Sequence, residues 1–414
     1  MNRALSIIAL ILLSMALTLL ADSTPPASRS STRPATKPAT HPAPIFPPTL
    51  KTTESPYYII HTDLDLDATR EAYVRMTRMF EEYQRRTAGF SGEIRGKFPF
   101  YLFKDEKDYA AAGGLKDSEG VFIVDSGGSR LMAIAGEKTT PYTWHVVQHE
   151  GFHQFAAAVI RGDLPPWLNE GLAEYFGEAL FTGDSFVSGV IPPRRLLRIQ
   201  NAIAEKKFKP FREMFLLSQD DWNDEMATAN YDQAWAMVHF LAQGEDGKYQ
   251  KAFVAFMRAI STGKPYLDAW FEVFGRDVDA FQKRFEKWWS ELPPNPTAVL
   301  YERATLLILT SFLARANAQG QKFDSADAFL LAAADGSLKR APEEYLPQSL
   351  ARTAGQQGSK LTDLTLLQKG PLPQMSCIAS DGSKMTVSYT LNGTHVRAMT
   401  VDVKPATRPA TQPH

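Results

Sequence analysis

Cysteine is almost missing from this chain: Cys377 is the only one among 414 residues. A lone thiol closes no internal disulfide, and without a Cys-x-x-Cys pair neither a thiolate zinc site nor a redox couple can be built. Any metal is therefore left to histidine and carboxylate. Net charge is equally scarce, since 45 Lys plus Arg stand against 46 Asp plus Glu for a formal charge of -1. No long basic stripe runs along the chain, so nothing draws phosphates broadly and nucleic acid drops out as an expected partner. Internal repeats of the length that builds solenoids or propellers are lacking as well. Hydrophobic residues make up 44%, which excludes wholesale disorder and is enough for two or three ordinary domains.

The amino terminus reads as an address. Asn2 and Arg3 precede an apolar run from Ala4 to Leu20, followed at once by Ala21, Asp22 and Ser23, which is the order of a secretory signal. The run is slightly long for a cleaved signal and slightly short for a membrane span, so residues 1–21 read as a signal peptide or a signal anchor that tethers through residues 4–20. The expected location is secreted, periplasmic or at the cell envelope. No cysteine follows the run to take a lipid. Residues 22–54 are rich in Pro, Thr and Ala and read as an extended linker. A similar phrase fills the tail at 404–414.

Between these ends the pattern predicts strands first and helices after, an α+β arrangement. Strand candidates are Tyr57 to Ile60, Phe98 to Phe103, Val121 to Val124 and Leu131 to Ala135, with helical spacing from Thr69 to Tyr83. Thr140 followed by Pro141 is a helix start, the threonine as cap and the proline where its missing N–H costs nothing. That helix runs to about Val159, a second begins near Trp167, and the chain is mostly helical from Val190 to Trp289 with breaks near Gly244 and Gly263. We therefore expect one domain over 55–293. Residues 294–403 read as a small accessory domain of helices and a three-stranded meander from Met375 to Val403, turning at Asp381-Gly382 and Asn392-Gly393. Cys377, on the first of these strands, reads as a packed apolar thiol.

The chemistry sits in His149-Glu150-Gly151-Phe152-His153, an HExxH match. At about 100° per residue the two histidines lie roughly 40° apart around the helix and one turn apart along it, so both imidazoles reach one ion. Glu150 is turned about 100° from His149, which suits it to a water on the ion's open side and makes it the candidate general base. With only 8 histidines in the chain, a chance match has a probability on the order of 0.01 to 0.02. His145 extends the ladder by one turn and reads as a residue of the cleft or a partner to the ligands. A catalytic zinc takes three protein ligands and a water. Trp167-Leu168-Asn169-Glu170-Gly171-Leu172-Ala173-Glu174 offers two carboxylates on one helix face, and on spacing either Glu170 or Glu174 can reach.

These phrases resemble the gluzincin zinc metallopeptidases, the clan of thermolysin and the aminopeptidase N relatives. The resemblance implies a zincin-like fold, one catalytic Zn2+ held by His149, His153 and Glu170, and Glu174 bracing a ligand histidine. It implies also that the phenol of Tyr231, in Tyr231-Asp232-Gln233-Ala234-Trp235, donates to the oxygen that becomes negative as water adds to a peptide carbonyl; packing at a helix start is the alternative for this ring. His239 is a weaker candidate, for a substrate contact. Sixteen residues separate His153 from Glu170, against roughly eighteen in the aminopeptidase branch, so side-chain preference does not carry over. The Gly-x-Met-x-Asn phrase of the clan's aminopeptidases has no match in Gly127 to Ala135, which disfavours aminopeptidase action. Leu131 to Ala135 is instead expected as an edge strand along which an extended peptide could lie.

The expected activity is zinc-dependent endopeptidase cleavage of a peptide or protein substrate. The alternatives are a catalytically silent, metal-braced binding module and a zinc hydrolase of a non-peptide amide or ester. Asp63-Leu64-Asp65-Leu66-Asp67 resembles the start of a calcium loop, but Ala68 and Val74 stand where that loop needs glycine and glutamate, so it reads as the acidic start of a helix.

Overall fold

The computed structural model describes residues 44–406 apart from 117, 126–127, 161, 226–227 and 369. The signal-like run, residues 22–43 of the linker and residues 407–414 of the tail lie outside the described residues.

The amino-terminal layer comprises β1 (Lys51–Glu54), β2 (Tyr58–Thr62), α1 (Leu66–Thr87), β3 (Phe98–Phe103), α2 (Glu106–Ala111), β4 (Gly120–Asp125), β5 (Gly128–Ile134), α3 (Pro141–Val159) and α4 (Pro166–Gly177). The five strands form one mixed sheet in the order β1-β2-β3-β5-β4. The inner strands β2, β3 and β5 run parallel, while β1 and β4 pair antiparallel at the two edges. Alternation decides the two faces. Phe100, Leu102, Leu131 and Ala133 point to the main core with α1 and α3, whereas Phe103, Val121 and Met132 meet Tyr109 of α2 in a smaller cluster. The acidic phrase before α1 does start a helix, with the Asp65 side chain accepting from Ala68 N–H at 2.8 Å.

One expectation about this sheet is overturned. Leu131 to Ala135 is not an edge: β5 is laddered by β3 on one side and β4 on the other. Leu131, Met132 and Ala133 are apolar toward both faces and fully buried, as an interior strand requires. The edge is β4.

Helix α3 begins as its first residues dictate. Thr140 accepts from Thr143 N–H at 3.0 Å, the Thr143 hydroxyl accepts from Thr140 N–H at 3.1 Å, and Pro141 occupies the first turn. Beyond α4 come the short pair β6 (Leu180–Phe181) and β7 (Phe186–Val187), then α5 (Pro193–Ala204), α6 (Phe211–Leu216), α7 (Gln219–Glu225), α8 (Thr228–Gly247), α9 (Gln250–Ser261), α10 (Tyr266–Phe274) and α11 (Val278–Glu291). The expected break near Gly244 is a loss of helical dihedrals over Gly244 to Asp246, and Gly263 sits at positive φ between α9 and α10. Helices α4 and α8 cross closely at Gly171, where an added Cβ would lie 2.4 Å from Ala234 O.

The remainder is α12 (Ala298–Ala318), α13 (Ala326–Asp335), α14 (Gln348–Gly358) and β8 (Thr362–Leu367), β9 (Gln374–Ile378), β10 (Lys384–Asn392) and β11 (His395–Lys404). The expected three-stranded meander is present as β9, β10 and β11, and β8, which precedes it in the chain, pairs with β9 as a fourth strand to give the antiparallel order β11-β10-β9-β8. Strand β8 escapes a pattern reading because its pairing with β9 shifts between Thr362 and Thr365, with Asp363 at a φ of 51°. That bulge breaks the period-two signal. Both expected turns are present, each with its glycine at positive φ, and Cys377 is buried on β9. A single cluster of buried apolar side chains extends from Tyr58 through Trp289 and Phe312 to Val387. The fold is mixed α+β.

Candidate metal centre

Helices α3 and α4 pack side by side and aim three donors at a common point. His149 Nε2 and His153 Nε2 are 3.1 Å apart, and Glu170 Oε2 lies 3.4 Å from the first and 3.5 Å from the second. Ligand atoms about 2.0–2.1 Å from a tetrahedral ion are separated by about 3.3 Å, so this triangle already has the edge lengths of one face of a tetrahedral coordination shell. None of the three residues exposes more than 2% of its surface. Both carboxylate oxygens of Glu170 are buried without a hydrogen-bond partner, a costly arrangement unless a cation faces them. The group can hold a metal ion.

Each imidazole is oriented from its other nitrogen. Glu174 Oε1 lies 3.1 Å from His149 Nδ1, and Asn169 Oδ1 lies 3.2 Å from His153 Nδ1. These partners fix which nitrogen faces the common point. Burial disfavours charge on His149, but Glu170 and Glu174 outweigh it and push the ring up to about 10. Burial pushes Glu170 up in turn, and the His153 and His149 rings hold it below the ordinary carboxylate range. Charges that favour a proton between these groups favour a metal cation there too.

Glu150 is not one of the three donors. Its Oε2 accepts from Phe122 N–H of the edge strand β4 at 2.9 Å, while its Oε1 is buried with no partner. Burial raises its pKa, the two imidazoles oppose the rise, and Glu170 adds to it. A raised, singly anchored carboxylate is suited to trading a proton. The close approach of α3 to β4 needs a glycine at 120, where an added Cβ would lie 2.3 Å from Val146 Cγ1.

The remaining sequence candidates fall in different places. Tyr231 lies in the first turn of α8, nearly buried, with its ring edge-on to Trp222 at 5.2 Å between centroids. Burial raises its phenol pKa and the charges of Glu170, Glu174 and Glu150 raise it further, against an opposing bond with Trp222, so the hydroxyl stays protonated. His145 is one turn before His149, its Nε2 3.9 Å from Glu174 Oε2 and its ring stacked on Tyr142. His239 is packed away among Tyr175, Trp235, Trp288 and Trp289 with Nε2 3.1 Å from Gly189 O, which leaves it no route to a substrate.

Sequence reasoning missed Asn169, the Phe122 N–H and Arg195. Asn169 was within reach, being the residue before Glu170 on the same helix. The other two depend on sheet register and helix crossing and leave no local signal.

No curated protein matches the chain. Residues 144–267 match the family model described as Protein of unknown function (DUF1570), a span that begins in α3, just before the HExxH phrase, and includes Glu170, Glu174 and Tyr231.

Proposed function

We propose that this protein is a zinc-dependent hydrolase of peptide bonds, of gluzincin type on a zincin-like fold, cutting within polypeptides outside the cytoplasm. The observation that carries the proposal is Glu150: a buried carboxylate beside the donor triangle, with one oxygen tied to the sheet and the other uncommitted. A site that only braces a fold needs ligands and no such base. Two imidazoles and a carboxylate with no thiolate suit zinc. An ion bound there would supply Lewis acidity, acidifying water and polarising a carbonyl. Glu150 Oε1 is free to take the proton of an attacking water and pass it to the leaving amine. The protonated phenol of Tyr231 can donate to the oxygen on which charge develops. The edge strand β4, which touches Glu150 through Phe122, replaces Leu131 to Ala135 as the strand an extended substrate would pair with. The extracytoplasmic setting rests on residues 1–21 of the sequence. Among the described residues no helix is long and apolar enough to cross a membrane.

One observation favours a second reading. His149, Glu150 and Glu170 are wholly buried, as in a closed site that braces a binding module. Metal analysis of the purified protein, with digestion of an unfolded protein in the presence and absence of a chelator, separates the two. Cleavage that the chelator stops supports the hydrolase; bound zinc without cleavage supports the binding module; absence of both zinc and cleavage rejects both.

A further inference from the structure

Arg195 of α5 is buried at the meeting point of three helices. Its Nη1 donates to Glu174 Oε2 at 2.6 Å and to Glu178 Oε1 at 2.8 Å, just past α4. Its Nε lies 3.0 Å from Asp232 Oδ1, and its Nη2 donates to the backbone oxygen of Tyr231 at 3.3 Å, both on α8. The guanidinium carbon stands 4.5 Å from the centroid of the Trp235 ring. Asp232 is held from outside by Arg198 at 2.6 and 2.8 Å.

A buried ion cluster of this kind is expensive to desolvate, and apolar side chains of the same volume usually stabilise a fold as well or better. What apolar packing cannot do is fix direction. With Oε2 of Glu174 taken by Arg195, the other oxygen is turned to His149 Nδ1 at 3.1 Å. The same guanidinium grips the turn of α8 that carries Tyr231. A planar fork with donors on several edges can hold Glu174, Asp232 and a carbonyl together, which a lysine ammonium cannot.

We infer that Arg195 is a positioning residue: it locks Glu174 onto His149 and ties α8 to the same point, so that the metal affinity of the centre is set by an arginine that touches none of the ligands. This rests on the metal-site reading above, and the experiment keeps the two apart. Zinc dissociation constants are measured by competition with a chromophoric chelator for the wild type, Arg195→Lys, Glu174→Gln and the double variant, each checked for folding by circular dichroism. Loss of a partner that orients a ligand weakens metal binding by about 10- to 100-fold, and this is expected for each single variant. The double variant is expected to bind no more weakly than Glu174→Gln, because the route through Glu174 is already gone. A merely structural arginine would lower the melting temperature of the metal-free protein and leave the zinc constant unchanged. That result, or full additivity in the double variant, overturns the inference while leaving the metal site standing. A wild type that takes up no zinc overturns both. Should Arg195→Lys fail to fold, Asp232→Asn, which removes the ion pair between the guanidinium and α8 while the bond to Tyr231 O and the charge on Glu174 stay, carries the same comparison with the same expected direction.

Discussion

Glu174 Oε1 lies 3.1 Å from Nδ1 of His149, on the ring edge opposite the nitrogen that faces Glu170 at 3.4 Å. A carboxylate there holds a proton on Nδ1 and leaves the lone pair of Nε2 for the common point. His153 has only the neutral amide of Asn169 in the corresponding place, at 3.2 Å. The two imidazoles are therefore braced unequally: behind His149 stands a carboxylate that is itself held by Arg195, and behind His153 a neutral amide.

Metal binding is expected to raise stability measurably. Any ligand that binds only the folded chain stabilises it by about 2.7 kcal/mol at a free concentration of 100 Kd. Added zinc should shift the thermal midpoint upward by several degrees and a chelator should reverse it. Glu170→Gln should abolish the shift, since it replaces the anionic donor with a neutral amide. A zinc-induced shift that persists in Glu170→Gln would place the ion elsewhere.

Glu150→Gln should separate binding from chemistry. The amide oxygen can still accept from Phe122 N–H, so the fold and the donor triangle are expected to survive. A general base contributes typically 10²- to 10⁴-fold, and turnover should fall by at least that much while zinc content stays at the wild-type level. Unchanged peptidase activity in this variant would remove Glu150 from the mechanism.

Much of the site was legible because its parts are local. The His149 to His153 spacing and the Thr140-Pro141 start belong to one helix, and Glu170 and Glu174 lie one turn apart on the next. What was not legible depends on how distant segments meet. The partner of Glu150 is a backbone N–H on β4, which only the sheet register brings there. Arg195 becomes part of the centre because α5 packs between the carboxylates after Leu168 and the start of α8, and nothing in Pro193 to Arg198 announces it. The edge of the sheet was misplaced for the same reason: β4 and β5 are both short apolar runs, and strand order is a property of the sheet rather than of either run.

Gly171→Ala should damage the centre without touching a donor. The new Cβ would lie 2.4 Å from Ala234 O and 2.6 Å from Val238 Cγ2, so α4 and α8 must move apart. Overpacking of this kind costs about 1–3 kcal/mol. Because Glu170 is the neighbour of Gly171 and Tyr231 lies one turn before Ala234, zinc affinity and turnover should both fall, beyond the loss of stability. A variant that is less stable but binds zinc normally would show that the crossing does not position Glu170.

His239 should make stability depend on pH below neutrality. Burial is the main cause that lowers its pKa from 6.5 to about 4, with the Arg195 charge adding to it and the Gly189 carbonyl opposing. Below pH 6.5 the unfolded chain takes up a proton that the folded chain refuses, so stability falls as pH drops from 6.5 toward 4 and this contribution is complete near 4. A shift of that size corresponds to about 3 kcal/mol. Glutamine at this position can keep a donor for Gly189 O but does not titrate. Urea unfolding of the wild type and His239→Gln from pH 7 to pH 4 should therefore show the wild type losing more, by about 3 kcal/mol, while carboxylates common to both cancel in the difference. Parallel losses in the two proteins would mean that His239 is protonated as readily in the folded chain as in the unfolded one.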